Sequence, residues 1–299
     1  MTRALVVGRR RKGRPIAQTV DQVARTLRAE GWEVEDRVVM RKRKLRKLAR
    51  RATTHHVDVV VVVGGDGAML EAATELQGTD TKLGVIPTGT GNLLAGALKI
   101  PEDLDHAIRT LLTGRGRKID VGCITIDGKE RAFTVACGIG YDAKVMGATD
   151  PEQKLHWGKL AYLTNAIGQA GALHPVPHVI TIDGKRHAMD ASEVIVANFG
   201  QMLPVVQPRR KIRGDDGLLD VIALRASGPI PALLAGWEAL LQQDLGESAS
   251  GRVFRARARE VRIETDPARL VETDGSVVGR TPVSISVRPL ALTVLVPRR

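Results

Sequence analysis

The chain has 299 residues, 43% hydrophobic and 26% charged, enough apolar material for one large or two ordinary globular domains, and two are expected. No apolar run approaches the roughly 20 residues needed to cross a bilayer, and the basic stretch Met1 to Arg14 is not followed by a signal-type apolar run, so the sequence reads as neither membrane-spanning nor secreted. Two cysteines, Cys123 and Cys137, are too few for a disulfide framework and lack zinc-site spacing, which points to a reducing cytoplasm.

The net charge of +12 is carried almost wholly by the front: residues 1–60 hold 17 Lys/Arg against 6 Asp/Glu, leaving 28 against 27 for the rest. Such a region suits an anionic membrane surface or a polyphosphate ligand. With three Trp, two Tyr and three Phe, stacking platforms for single strands are scarce, and no specific nucleic acid is expected.

Leu5 to Gly8 reads as a short buried strand, and Val20, Val23, Ala24 and Leu27 repeat at helical spacing before Gly31. A strand follows over Trp32 to Val39. Leu45, Leu48, Ala49 and Ala52 mark one face of a second helix; its other faces carry eight basic residues between Arg41 and Arg51, read either as a solvated surface or as a membrane-docking one. Val57 to Val63 is almost entirely β-branched, as in a strand covered on both faces of a parallel sheet, and it runs into Gly64-Gly65-Asp66-Gly67. A helix over Met69 to Leu76, a strand over Lys82 to Ile86, a loop over Pro87 to Gly91 and helices over Leu93 to Leu98 and Leu104 to Leu112 complete a β-α alternation. That pattern predicts a doubly wound α/β domain over 1–120, with ligand beyond the carboxyl ends of its strands.

From about residue 117 the texture changes. Alternating stretches meet at Asp127-Gly128 and Asp183-Gly184, dipeptides suited to tight hairpins, so residues 121–299 are expected to form a mainly antiparallel, sandwich-like domain. Helical inserts are expected near Leu155 to Ala172 and Ile230 to Leu245, and the last strand is a candidate to return to the first domain. His55 and His56 are adjacent and point apart, and Pro175 and Pro177 exclude a helical metal pair at His174 and His178.

The chemistry concentrates in two glycine loops, Gly64 to Gly67 and Pro87-Thr88-Gly89-Thr90-Gly91-Asn92, which leave two predicted strands of one sheet. Glycines at strand exits let backbone amides approach phosphate oxygens, and the helix after each loop adds a favourable dipole. Neither loop fits the Walker or dinucleotide fingerprints. A carboxylate at Asp66 would repel bare phosphate, so Mg²⁺ between them is the natural reading.

These residues resemble the bacterial diacylglycerol kinase and sphingosine kinase-like lipid kinases. Val63-Gly64-Gly65-Asp66-Gly67-Ala68-Met69-Leu70-Glu71 resembles that family's nucleotide loop, and Ile86 to Asn92 its second loop. Ile119-Asp120-Val121-Gly122, Gly138-Ile139-Gly140-Tyr141-Asp142-Ala143, Gly214-Asp215-Asp216-Gly217-Leu218-Leu219-Asp220-Val221 and Thr273-Asp274-Gly275 follow in the family's order. The resemblance implies ATP phosphates along Gly65 to Glu71 and at Thr88, Gly89, Thr90 and Asn92, with Asp66 acting through the metal. It also implies a structural Mg²⁺ on the Asp216 carboxylate and the carbonyls of Arg213 and Leu218, and a lipid substrate between an α/β and a β-sandwich-like domain. The expected protein is an ATP-dependent kinase of a diacylglycerol-like alcohol, cytoplasmic and peripheral to the membrane, with a homodimer left open.

The sequence also departs from the pattern. After the first strand stands Gly8-Arg9-Arg10-Arg11-Lys12-Gly13 instead of Asn-Pro-x-Ser-Gly, Ala68 replaces Thr, and Leu93 replaces an Asp. Ser276 stands where the family presents the Glu regarded as proton acceptor, and a serine hydroxyl takes up no proton near neutrality. Asp274, Glu272 or Asp66 are the stand-ins, and a catalytically weakened lipid-binding regulator is the alternative function. NAD kinase is a second alternative, but the Pro87 to Asn92 loop lacks the Asn-x-Gly-x-Leu-Gly-Phe stretch expected there.

Overall fold

A computed structural model describes residues 1–10, 13–140, 174–200, 212–228, 234–235, 238–239 and 242–298. The expected insert Leu155 to Ala172 lies outside them, as does most of Ile230 to Leu245. Two compact units emerge: Met1–Val121 with Pro289–Arg299, and Gly122–Arg288.

Unit 1 contains β1 (Arg3–Arg9), α1 (Ile16–Ala29), β2 (Glu33–Val39), α2 (Lys42–Thr54), β3 (Val59–Gly64), α3 (Asp66–Leu76), β4 (Lys82–Pro87), α4 (Leu93–Ala97), α5 (Leu104–Thr113) and the start of β5 (Arg115–Ile126). Its parallel strands run in the order β2-β1-β3-β4. Alternation explains the two helical layers. Ala4, Val6, Val59, Val61 and Val63 pack with Ile16, Val20, Val23 and Leu27 of α1 and Ile108 and Leu111 of α5. The intervening Leu5, Val7, Val60 and Val62 are equally buried and face the other way, where α2 and α3 lie against the strands. Each such aliphatic side chain contributes about 1.5–3 kcal/mol on full burial.

Unit 2 contains β6 (Lys129–Phe133), β7 (Ala136–Ile139), β8 (Val176–Ile182), β9 (Lys185–Ala191), β10 (Glu193–Ala197), β11 (Leu219–Leu224), β12 (Gly246–Glu247), β13 (Val253–Ala258), β14 (Glu260–Thr265), β15 (Leu270–Thr273), β16 (Ser276–Arg280) and the start of β17 (Val283–Val296). One antiparallel layer runs β9-β8-β14-β17 and the other β12-β13-β11-β10-β7-β15-β16. Ile180, Val261, Ile263 and Ile285 of the first meet Ile139, Val194, Val196, Val221 and Val271 of the second in one core. The hairpins at Asp127-Gly128 and Asp183-Gly184 form with both residues at positive φ, 50° and 70° in the first and 43° and 83° in the second, the primed turn that matches strand twist.

Strand β17 carries the chain from unit 2 back into unit 1, where Val294 pairs in parallel with Leu83 of β4. Asp120, fully buried in β5, fixes this return: its Oδ1 accepts the Leu290 amide at 2.7 Å. No helix among the described residues is long and apolar enough to cross a membrane.

Candidate active site

The two glycine loops leave neighbouring strands. β3 and β4 pair through Gly64 and Pro87, and the Thr88 amide donates to the Gly64 carbonyl at 2.9 Å. The loops touch backbone to backbone: a methyl group built on Gly65 would lie 2.9 Å from Gly89 Cα, and one on Gly89 would lie 2.7 Å from Gly65 Cα. Any other residue at either position would push the loops apart.

The structure starts α3 at Asp66, three residues before the expected Met69. Gly65 takes the N-cap position without a side-chain bond, so the serine or aspartate that usually announces a helix start is absent. Ala68 and Met69 donate to the Gly65 carbonyl at 2.8 and 3.2 Å, and their side chains are buried against the sheet. The amides that precede them, Gly67 among them, lie outside the intrahelical ladder and at the positive end of the helix. The stretch Gly64 to Glu71 is therefore not uniform. Leu70 lies farther along the helix, and the Glu71 carboxylate is turned to Arg46 of α2 at 3.3 Å.

Asp66 bridges the loops. Its Oδ1 accepts the Leu93 amide at 2.6 Å, and Oδ2 lies 3.0 Å from where a methyl group on Gly91 would stand. Leu93 thus contributes its backbone where the family pattern has a carboxylate. Asn92 adopts a left-handed backbone (φ 48°) and spends its side chain on the loop, accepting from the Gly89 amide at 2.9 Å and donating to the Gly89 carbonyl at 3.3 Å. It shapes the loop that presents Thr88 and Thr90, both half-buried.

In unit 2, Asp274 and Gly275 form the turn between β15 and β16, at φ 46° and 77°. The Asp274 carboxylate accepts four bonds: the Thr134 amide and hydroxyl at 2.7 and 2.8 Å on Oδ2, and the Val135 and Ala136 amides at 2.9 and 3.1 Å on Oδ1. Burial pushes its pKa above the usual carboxylate value, while those donors pull the other way. With both oxygens committed, Asp274 is a clamp between the turn and β7. Ser276, which pairs with Thr273, is exposed.

Glu272 pairs with Val277 on the opposite face of the same hairpin from Ser276, so it does not replace the missing acid there. It meets Glu193 of β10 across Gly138 instead: a methyl group on Gly138 would stand 3.2 Å from Glu193 Oε1 and 3.4 Å from Glu272 Oε1. Desolvation first, and then the Glu272 charge, raise the Glu193 pKa to about 8, against the opposing Arg269. Its buried Oε2 has no hydrogen-bond partner among the described residues. The sequence reading missed Glu193, because nothing near it in the chain announces a carboxylate neighbour 79 positions away.

The expected metal turn has other occupants. Asp216 Oδ1 accepts the Leu218 amide at 3.2 Å, Oδ2 is ion-paired with the Arg257 guanidinium, and Arg213 binds Asp215 at 3.1 Å. The Asp216 carboxylate is thus shared by an amide and a guanidinium, and a cation bound there would have to displace the Arg257 contact. Among the described residues no three His, Cys, Asp or Glu side chains gather as a metal set.

Two family models match the chain. The Diacylglycerol kinase catalytic domain covers residues 3–124, and the YegS C-terminal NAD kinase beta sandwich-like domain covers residues 134–296. The chain is 29% identical over 268 residues to a diacylglycerol kinase of Mycobacterium tuberculosis, covering 85% of this chain and 81% of that protein. It is 27% identical over 241 residues to a Synechocystis protein, covering 80% of this chain but 54% of the relative, which is therefore much longer. A solved Bacillus anthracis chain superposes with a TM-score of 0.81 at 23% identity, over 98% of this chain and 96% of the other, a likeness of fold. Glycine loops at two adjacent strand ends, the sandwich-like second unit and both family matches agree: the chain belongs to the diacylglycerol kinase family and is a lipid kinase.

Proposed function

We propose that the chain transfers the γ-phosphoryl group of ATP to the hydroxyl of a diacylglycerol-like amphiphilic alcohol. The observation that carries this reading is Asp66, a carboxylate standing between two glycine loops in backbone contact, with its Oδ1 on the Leu93 amide. Mg²⁺ bound there would offset phosphate charge, and it is commonly held by one or two carboxylates together with substrate phosphates, which Asp66 fits. The protein's own part is positioning: the Gly65 and Gly67 backbone admits phosphate oxygens closely, Asn92 holds the second loop, and Thr88 and Thr90 offer hydroxyls. Phosphoryl transfer needs little else from the protein.

Ser276 occupies the proton-acceptor position in this proposal, and its exposed hydroxyl supports the alternative of a weakened, regulatory kinase. A general base contributes about 10²–10⁴-fold, so its absence slows the reaction without abolishing it. Transfer of label from [γ-³²P]ATP to an organic-extractable lipid tests the reading. Labelled lipid is expected, and thin-layer separation identifies the acceptor. Failure to label any lipid, with full binding of ATP and lipid, would favour the regulator.

The exposed basic face of α2, with Arg41, Arg43, Lys44, Lys47 and Arg51, supports attachment to an anionic lipid surface. Co-sedimentation with phosphatidylglycerol vesicles is expected to exceed that with phosphatidylcholine and to fall with salt, because such attraction is screened within about 8 Å at physiological ionic strength. Equal sedimentation with both vesicle types would remove the membrane role.

A further inference from the structure

The basic residues of α2 do not all face solvent as one surface. α2 and α3 lie side by side, and their facing rows match rung by rung. Arg46 pairs with Glu71 and Glu75, both at 3.3 Å, and Arg50 pairs with Glu75 at 2.7 Å. One turn earlier on α2 is Lys42, and one turn earlier on α3 is Gly67, since residues four apart share a helix face. At this rung the acid is missing. A methyl group built on Gly67 would stand 3.2 Å from Lys42 Nζ, so the ammonium lies directly over the glycine. Lys42 takes part in no ion pair among the described residues, unlike the two arginines that follow it in the row.

The place where the row loses its acid is also the place where the two loops meet. Gly67 lies in the first turn of α3, beside Asp66 and two residues from the Gly65–Gly89 contact. A lysine ammonium held against a helix start and a glycine turn thus has no anion supplied by its own rung. We propose that Lys42 is a substrate-contacting residue of this kinase, its ammonium binding a non-bridging oxygen of the terminal phosphates of ATP at the Gly65–Gly67 turn. This inference rests on the nucleotide site proposed above and assigns it a residue outside both glycine loops. The two lower rungs act differently, since Arg46 and Arg50 hold α2 against α3 and so set the position of Lys42.

Lys42→Ala and Lys42→Arg, with Arg46→Ala and Asp66→Ala for comparison, test the assignment through steady-state ATP kinetics, Mg·ATP titration calorimetry and melting without ligand. Lys42 is exposed, so its variants should melt with wild type. Loss of one charge-assisted contact is expected to raise the KM and Kd for ATP about tenfold to a hundredfold in Lys42→Ala, with kcat less affected, and Lys42→Arg should recover most of the loss. The Kd of Lys42→Ala should also depend less steeply on salt. Arg46→Ala should lower the melting temperature and leave ATP affinity closer to wild type. If Asp66→Ala loses ATP binding while Lys42→Ala keeps the wild-type KM and Kd, the nucleotide site stands and the Lys42 assignment is wrong. If Asp66→Ala also binds Mg·ATP as wild type does, the site lies elsewhere and both readings fall.

Discussion

Asp66 and Asp274 each begin a turn beside a glycine, and both belong to motifs shared with the kinase family, yet their surroundings differ. Asp66 opens a helix in unit 1, stays half-buried and takes the Leu93 amide on one oxygen. Asp274 closes a hairpin in unit 2 and takes four donors from Thr134, Val135 and Ala136. The first carboxylate stands at a helix start, where charge opposite to its own gathers and where the metal-phosphate group is proposed. The second is spent on holding two strands together. Two motif aspartates beside a glycine thus stand in different hydrogen-bonding surroundings.

Asp66→Ala gives the largest expected effect. Lipid phosphorylation should fall about 10²–10³-fold, as for loss of other transition-state charge contacts, and the thermal shift caused by ATP and Mg²⁺ should vanish. Activity and thermal shift equal to wild type would break the contrast from the unit 1 side. Asp274→Ala should instead cost about 2–5 kcal/mol in a denaturant titration, because three amides and a hydroxyl lose their acceptor together. A stable Asp274→Ala protein without kinase activity would overturn its architectural role.

Ser276→Glu sharpens the comparison, because Ser276 follows the Asp274 turn and remains exposed. If the proton leaves there, an ionised carboxylate should raise lipid phosphorylation about tenfold, within the ceiling of roughly 10²–10⁴ for general-base catalysis. Unchanged or slower turnover would place proton release elsewhere.

The last effect concerns Glu193 and is read through pH. Its folded pKa of about 8 exceeds the ordinary carboxylate value, so the folded chain keeps a proton that the unfolded chain releases. This contribution is complete below the ordinary carboxylate pKa and is lost as the pH rises toward about 8. Glu193→Gln should flatten the decline of the denaturant midpoint between pH 5 and 8. A slope equal to that of wild type would show that Glu193 ionises without cost.

Much of unit 1 was legible because its signals are local. The valine run of β3 and the glycines at its exit announce a covered strand and a close backbone approach, and the Asp-Gly hairpins of unit 2 announce themselves in two residues. The start of α3 was not legible, since Gly65 caps it without a side chain. Three decisive contacts were beyond reach for another reason. Asp274 meets residues 138 to 140 positions away, Arg257 meets Asp216 across 41 positions, and Glu272 meets Glu193 across a strand that neither of them neighbours in sequence. Only the folded sheets bring these groups together, so neither the arginine beside Asp216 nor the four donors on Asp274 could be read from the chain.

The return of β17 carries a cost in folding order. The strand beside β4 is built from Pro289 onward, after all of unit 2 has been made, and Asp120 stays without its Leu290 amide until then. Residues 1–121 therefore emerge as a sheet lacking a neighbour for β4, an exposed edge of the kind that pairs wrongly while it waits. The high sequence separation of that closure makes it a late and slow step. A nucleotide unit that looks N-terminal is, in assembly, the last part of the chain to be finished.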